Sequence, residues 1–225
     1  MAFIKWLLDV IKNALLSSKT PAMPIQVDKP INPPSTEPVV EPIKDPSPEP
    51  KQVSISEVLK TAIKPYEQVR ETNGKNRSPV IDKIITGHGG ALGSAYCCYG
   101  VQQVLDDVEA AYKKLGIDMH FDIPGGGSTQ QLWAKANADY KVALPKASSL
   151  VVWRHMGNPS TGHIGFCLSG NNGGKFETFE FNTSADSSAV VRDGEGAYYR
   201  NRPFKDVGDM HILGFIDLQK AMKFK

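Results

Sequence analysis

The hydrophobic residues of this chain follow one period before Pro145 and a different period after it. In the earlier part, apolar residues recur at positions i, i+3, i+4 and i+7, which is the spacing of helices that bury one face. In the later part, apolar and polar residues alternate over short runs, which is typical of strands. The order of the two patterns predicts an α+β fold in which N-terminal helices pack on a mostly antiparallel sheet.

The clearest predicted helix covers residues 97–115 and stops before Gly116, a residue type that commonly ends helices. Ser94 is a candidate cap for the start of this helix. Shorter helices are predicted to begin at Ser54 or Ser56, at Pro79 and at Ser128, and strands are predicted at 150–153, 163–168, 176–182 and 212–216.

The first 20 residues form a separate amphipathic pattern that predicts an N-terminal helix. No run of roughly 18 to 20 apolar residues is present, so the pattern does not predict a membrane-spanning helix. Asp9 and Lys12 interrupt the apolar run, which makes a cleaved secretory signal the weaker interpretation. We expect residues 1–16 to contact a membrane surface or to dock on a partner, and a helix without a targeting role is the remaining alternative.

Residues 21–52 are predicted to be a disordered, proline-rich linker. Ten of the 16 prolines of the chain lie between Pro21 and Pro50, mixed with charged residues and serine. Proline fixes φ and removes a backbone donor, so such a stretch favours an extended tether over a folded segment. The folded domain is therefore predicted to cover residues 53–225.

The composition excludes some classes of function. The formal net charge is only +2, which gives no reason to expect nucleic-acid binding. Cys97, Cys98 and Cys167 are the three cysteines, and an odd, low number argues against a disulfide scaffold. At least one thiol is then free in the monomer that we expect, as a catalytic cysteine has to be.

Cys97 is the first candidate for chemistry because it stands at the start of the clearest predicted helix. Unpaired backbone N–H groups and the helix dipole at that position favour a thiolate, which is the reactive form of cysteine. Cys98 follows directly, and a shift of one residue would select it instead. The alternative for both cysteines is that they are small apolar residues in a helix face.

His163, Glu180 and Asn182 complete a possible hydrolytic site. His163 begins a predicted strand, and Glu180 and Asn182 share one face of the next strand. A hairpin centred near Asn171–Asn172 sets His163 beside Glu180, within one residue. Either Glu180 or Asn182 can then orient the imidazole, and the alternative is that both side chains face solvent. A cysteine, a histidine and an orienting polar group are the parts of a thiol hydrolase.

Three segments together resemble the CHAP family of cysteine, histidine-dependent amidohydrolases and peptidases. The segment Tyr96-Cys97-Cys98-Tyr99-Gly100-Val101 resembles the family signature of an aromatic residue, Cys and a Val four positions on. The segment Gly162-His163-Ile164-Gly165-Phe166 resembles its Gly-His-Val-Gly strand. The segment Thr178-Phe179-Glu180-Phe181-Asn182-Thr183 resembles its Ile-Glu-x-Asn-Thr strand. The family often has Trp where this chain has Tyr96.

The resemblance implies a papain-like fold and a peptidoglycan hydrolase. It implies that Cys97 is the nucleophile, that His163 is the base, and that Glu180 or Asn182 orients His163. Many members are phage endolysins or virion-associated lysins, so we expect action at the bacterial cell wall. The cleaved bond is left open between the muramoyl–alanine amide, the stem peptide and the cross-bridge. The alternative is a non-catalytic module that binds the wall or helps to assemble it.

No metal or cofactor is expected. The three cysteines and His163 lack the Cys-x-x-Cys or His-Glu-x-x-His spacing of zinc sites. The acidic segments 118–122 and 193–195 lack the pattern of a calcium loop. Gly125-Gly126-Gly127-Ser128 has no following Lys-Ser or Lys-Thr, so it is predicted to be a flexible rim loop and not a phosphate-binding loop.

Overall fold

The computed structural model describes residues 53–185 and 194–225. Its main element is a six-stranded antiparallel sheet. The strand order in this sheet is β2-β7-β3-β4-β5-β6, and β1 pairs with β8 in a small separate sheet. The expected N-terminal helix 1–20 and linker 21–52 lie outside the described residues. The strands are β1 Met119–Phe121, β2 Lys141–Val142, β3 Ser149–His155, β4 Gly162–Cys167, β5 Lys175–Thr183, β6 Gly196–Pro203, β7 Met210–Asp217 and β8 Met222–Phe224.

Most of the helices precede the main sheet in the chain, which confirms the predicted α+β class. Three of them begin at serine caps, because the hydroxyls of Ser54, Ser78 and Ser128 accept hydrogen bonds from backbone N–H groups of the first turn. The helices are α1 Ile55–Ile63, α2 Pro79–Gly87, α3 Cys97–Lys114, α4 Thr129–Lys135 and α5 Leu218–Ala221, with short 3₁₀ turns at Lys64–Tyr66 and Ala138–Tyr140.

Helix α3 packs against β4 and β5 and so connects the helical part to the sheet. Its buried face includes Val101, Val104 and Val108, as the helical spacing predicts. Gly100 allows a very close approach, because a Cβ atom at this position would lie 2.3 Å from Cγ of Phe181. The N-terminus of α3 is therefore held directly against the strands that carry His163 and Glu180.

The structure differs from the sequence prediction in several elements, and the sequence pattern does not predict β1, β2, β8 or α5. The helix predicted at 128–138 ends at Lys135, since Ala136 adopts an extended ψ of 138°. Strand β6 was not predicted, because its sequence mixes aromatic and basic residues without clear alternation. Glu180 and Asn182 of β5 are both 0 % exposed, so the alternative that these two side chains face solvent is wrong.

None of the helices in the two described stretches combines the length and the apolar character needed to cross a membrane.

Candidate active site

Cys97 is the first residue of α3, where the chain turns into the helix at Tyr96. Tyr96 is the N-cap residue and its side chain makes no capping hydrogen bond, so the expectation that Ser94 caps this helix is wrong. The N–H groups of the first helical turn have no partner within the helix. This end of the helix therefore favours negative charge on Cys97 or on an oxygen bound beside it.

His163 lies in β4 with no exposed surface. It stands opposite Trp153 of β3, and the two ring centroids are 5.6 Å apart. Nε2 of His163 lies 3.0 Å from Oε2 of Glu180. Nδ1 is buried and has no hydrogen-bond partner among the described residues. Because a carboxylate only accepts hydrogen bonds, Nε2 carries a proton and Nδ1 is the nitrogen left to exchange one with Cys97.

Glu180 accepts four hydrogen bonds although it is completely buried. Oε2 accepts from His163 and from a terminal guanidinium nitrogen of Arg202, at 3.0 and 2.6 Å. Oε1 accepts from Nε of Arg202 at 2.8 Å and from the hydroxyl of Thr178 at 2.5 Å. A buried carboxylate is stable only when it is paired and hydrogen-bonded, and these partners meet that requirement.

Gly165 makes room for the contact between Glu180 and His163. The β4–β5 register pairs Phe166 with Phe179 and Cys167 with Thr178, which is two residues from a register that sets His163 opposite Glu180. The predicted register is therefore wrong by one residue more than its stated margin. Continued by one pair, the observed register places Gly165 opposite Glu180. A Cβ atom on Gly165 would lie 2.5 Å from Cγ of Glu180, so only glycine lets this side chain lean diagonally to His163.

The pKa of His163 shows how its two neighbours act on it. Burial alone lowers the pKa of an imidazole, because it disfavours the charged form. Interactions with the thiol of Cys97 and the carboxylate of Glu180 outweigh burial and raise the pKa of His163 to about 9. Burial likewise raises the pKa of Glu180, but Arg202 and then His163 lower it well below its usual range. At neutral pH, His163 is protonated and Glu180 is ionised.

Cys98 is also buried, but it points to a different set of partners. Nε2 of Gln102 donates to the carbonyl of Cys98 at 3.1 Å and to its sulfur at 3.7 Å. Burial raises the pKa of the Cys98 thiol far above its usual range. Burial does the same to Cys167 in β4. Of the three cysteines, Cys97 is the one whose thiol acts on the pKa of His163.

Asn182 lies on β5 two residues after Glu180 and is completely buried. Its φ is +56°, in the left-handed region that asparagine tolerates better than most residues. The register between β5 and β6 shifts between Glu180 and Thr183, so Asn182 stands at an irregularity of the strand. Of the two candidate orienting residues, Glu180 is the one that contacts the imidazole nitrogen at 3.0 Å.

A cavity of about 710 Å³ lies beside the segment that leads into Cys97. Its described lining residues include Ser94, Glu71 and Asn76. The side chain of Asn76 donates to the carbonyl of Gly93 at 3.2 Å, and its backbone N–H donates to Glu71 at 3.0 Å. These bonds hold two loops as walls of the cavity. Its volume is in the range of pockets that bind small ligands, roughly 300 to 1,000 Å³.

The glycine-rich segment predicted to be a flexible rim loop is fastened to α3. Gln102 donates to the carbonyl of Gly126 at 2.7 Å and accepts from its N–H at 3.0 Å. The hydroxyl of Tyr99 lies so close to Gly127 that a Cβ atom there would be 2.3 Å away. The loop is exposed but anchored beside the helix that carries Cys97.

The structure brings His163 and Glu180 together and places Cys97 where it acts on His163. Arg202 and Thr178 complete the set, and sequence reasoning missed both of their contacts to Glu180. The signal that was available is the arginine itself, since a buried carboxylate needs a cation nearby.

In the described part of the chain, no group of three or more His, Cys, Asp or Glu side chains is arranged to hold a metal ion. No family model matches the chain, and no curated protein matches it.

Proposed function

We propose that this protein is a cysteine amidase or endopeptidase that hydrolyses the peptide part of bacterial peptidoglycan. The observation that carries the proposal is the position of His163 between Cys97 and Glu180. A base between a thiol and an orienting carboxylate is the arrangement of a thiol hydrolase. The resemblance of the three segments around these residues to CHAP enzymes supports peptidoglycan as the substrate.

The fold proposed with this function is the papain-like fold of CHAP enzymes. Two features support it, the nucleophile at the N-terminus of a long helix and the base on an antiparallel strand packed against that helix. Gly100 lets α3 lie close to Phe181 of β5, which supports a position of Cys97 beside the strands that carry His163 and Glu180. Glu180 is proposed as the main orienting residue, and Asn182 as a supporting residue of the same strand.

The proposed reaction begins with a proton on His163 and a thiolate on Cys97. The sulfur attacks the carbonyl carbon of the scissile amide, and the carbonyl oxygen becomes an oxyanion. The N–H groups at the uncapped start of α3 stabilise this charge. His163 gives its Nδ1 proton to the amide nitrogen, the C–N bond breaks, and the amine leaves. A thioester between Cys97 and the acyl part of the substrate remains.

Water completes the cycle. Nδ1 of the now neutral His163 takes a proton from water, and the hydroxide oxygen attacks the thioester carbon. The C–S bond then breaks, a carboxylic acid is released, and the thiolate and imidazolium are restored. Throughout the cycle the hydrogen bond from Nε2 to Glu180 keeps the ring in one orientation and stabilises its charged form.

The proposed place of action is the bacterial cell wall, in the setting of a phage endolysin or a virion-associated lysin. No cofactor takes part in the proposed steps. The cavity lined by Ser94 and Ala95, which precede Cys97 in the chain, is the proposed place for the peptide. Contact of residues 1–16 with a membrane surface stays a prediction, since these residues lie outside the described part of the chain.

The test is digestion of purified peptidoglycan followed by mass spectrometry of the released fragments. New amino and carboxyl termini are expected at one bond type, and Cys97→Ala is expected to abolish them. Binding of the protein to the same purified peptidoglycan is measured by sedimentation. If both the wild type and Cys97→Ala sediment with the peptidoglycan and neither releases new termini, the protein would instead be a wall-binding module.

A further inference from the structure

Arg202 is a fully buried arginine that no step of the proposed reaction uses. Its side chain is 1 % exposed. It donates to both oxygens of Glu180, at 2.8 and 2.6 Å, and to the hydroxyl of Thr183 at 3.1 Å. Burying a cation costs free energy, and a paired carboxylate recovers only part of that cost. A neutral residue at position 180 could orient His163 and would need no arginine beside it. The presence of a buried charged pair therefore requires an explanation.

Counting charges in the buried cluster supplies the reason. The titratable and charged groups that meet there are Cys97 of α3, His163 and Cys167 of β4, Glu180 of β5 and Arg202 of β6. Cys167 stays protonated because burial raises its pKa. Arg202 cancels the charge of Glu180. With Arg202 present, the pair of thiolate and imidazolium leaves the cluster with a net charge of zero, as the pair of thiol and neutral imidazole does.

Without Arg202, the arrangement of protons that makes the cluster neutral is a different one. The neutral arrangement of the cluster would be an ionised Glu180, a protonated His163 and an uncharged thiol. Forming the thiolate would then leave one uncompensated negative charge among buried side chains, which is strongly unfavourable. An uncharged thiol is the unreactive form of cysteine. The charge of Arg202 therefore affects the protonation state of Cys97, although the hydrogen bonds described above go from Arg202 to Glu180 and Thr183.

We propose that Arg202 is a positioning residue that neutralises Glu180 and thereby allows Cys97 to be a thiolate while His163 is protonated. This inference deepens the proposed hydrolase function and rests on it for the roles of Cys97 and His163. The two bonds from Arg202 also hold the carboxylate in one plane, with Oε2 directed at Nε2 of His163. Thr178 fixes the other oxygen.

The experiment measures the alkylation rate of Cys97 by iodoacetamide as a function of pH, with peptide mapping by mass spectrometry. All variants carry Cys98→Ala, because Cys98 adjoins Cys97 in the chain, and the peptide map separates Cys97 from Cys167. Removing the cation in Arg202→Met is expected to move the pH of half-maximal alkylation upward by about one to two units, since a nearby positive charge is lost. Adding Glu180→Gln to Arg202→Met restores neutrality, and the midpoint is expected to return to within about half a unit of the parent.

The conservative variant separates charge from geometry. Arg202→Lys keeps the cation, so the midpoint is expected to stay close to that of the parent, while peptidoglycan digestion slows because an ammonium group does not span both oxygens. An unchanged midpoint in Arg202→Met, or a double variant no nearer to the parent than Arg202→Met, overturns the inference. Thermal melting checks folding. If Arg202→Met is unfolded, the inference is overturned instead when the alkylation midpoint of Arg202→Lys or of the double variant lies more than one pH unit from that of the parent.

The two proposals fail in different ways. If the wild-type protein shows pH-dependent alkylation that Arg202→Met shifts, but releases no peptidoglycan termini, the proposed hydrolase function is wrong and the charge role of Arg202 stands. If the wild type digests peptidoglycan and Arg202→Met leaves the alkylation midpoint unchanged, the function stands and the role of Arg202 is wrong.

Discussion

Two histidine–carboxylate pairs in this protein have similar contact distances and very different surroundings. His163 and Glu180 are 3.0 Å apart, and both side chains are 0 % exposed. His211 and Asp206 are 2.6 Å apart, with 39 % and 56 % of their side chains exposed. The exposed pair is the shorter of the two, so distance does not distinguish a candidate catalytic pair. Three features do: the burial of both side chains, the arginine that pairs with the carboxylate, and the thiol that helps to raise the pKa of the imidazole.

The largest difference between the pairs is expected in activity. His163→Ala removes the group that exchanges the proton with Cys97, so digestion of peptidoglycan should fall by at least about 10³-fold. His211→Ala should stay within about twofold of the wild type, since it changes an exposed side chain away from the cluster. Release of soluble peptide fragments measures both. Equal losses in the two variants would remove the distinction between the pairs.

The next difference is expected in stability at pH 7. Glu180→Gln leaves the charge of Arg202 buried and unpaired, which should lower the free energy of unfolding by about 3–5 kcal/mol. Asp206→Asn breaks an exposed pair and should cost less than about 1 kcal/mol. Urea unfolding followed by tryptophan fluorescence gives both values. A small cost in Glu180→Gln would show that Arg202 finds another partner when Glu180 is neutral.

The buried pair should also make stability depend on pH on the alkaline side. The pKa of His163 is raised to about 9 in the folded protein, from about 6.5 in an unfolded chain. The folded state therefore holds this proton more tightly. The resulting stabilisation is complete below about pH 6.5 and is lost as the pH rises through 9, a decrease of about 3 kcal/mol. Urea unfolding from pH 6 to pH 10 should show a larger decrease in the wild type than in His163→Ala, because the raised pKa values of Cys98 and Cys167 add an alkaline decrease to both proteins.

A smaller effect tests the steric basis of the buried pair. Gly165→Ala puts a methyl group against Glu180 and should cost about 1–3 kcal/mol of stability. It should also lower activity, because the carboxylate is pushed away from His163. Gly87→Ala is the matched control, since a Cβ atom there meets nothing within 4 Å. That change should leave activity intact. Wild-type activity in Gly165→Ala would mean that the diagonal contact is dispensable.

The smallest effect separates burial from function. Cys98 is as deeply buried as Glu180 but lies outside the cluster, beside Gln102. Cys98→Ala should leave digestion largely intact and cost about 1 kcal/mol or less, because only a sulfur atom is lost. Cys97→Ala, at the adjacent position in the chain, should abolish digestion. The opposite outcome would transfer the nucleophile to Cys98.

The starts of three helices could be predicted from the sequence because they depend on local signals, whereas the Ser94 cap expected for α3 is absent. Ser54, Ser78 and Ser128 stand before apolar periods, and each caps a helix. The α+β class follows from the change of period near Pro145. The faces of β4 and β5 that carry His163 and Glu180 follow from strand alternation, although their register was two residues off.

The rest depends on contacts between distant segments. Nothing local marks Arg202 as the partner of Glu180, since strand β6 has no regular alternation. The helical period could not separate Cys97 from Cys98, because adjacent residues of a helix start are both buried here. The role of Gly165 follows from a side chain on the next strand and not from its own neighbours in sequence.

The bonds from Arg202 to Glu180 also have a consequence for the order of events during folding. Cys97, His163, Glu180 and Arg202 follow one another in the chain and meet only when a helix and three strands have come together. Such non-local pairing is completed late, because long loops have to close first. A nascent or partly folded chain therefore carries a thiol without its base and without the charge balance. The proposed hydrolytic activity would therefore begin only when the last strand of the cluster, β6, has paired.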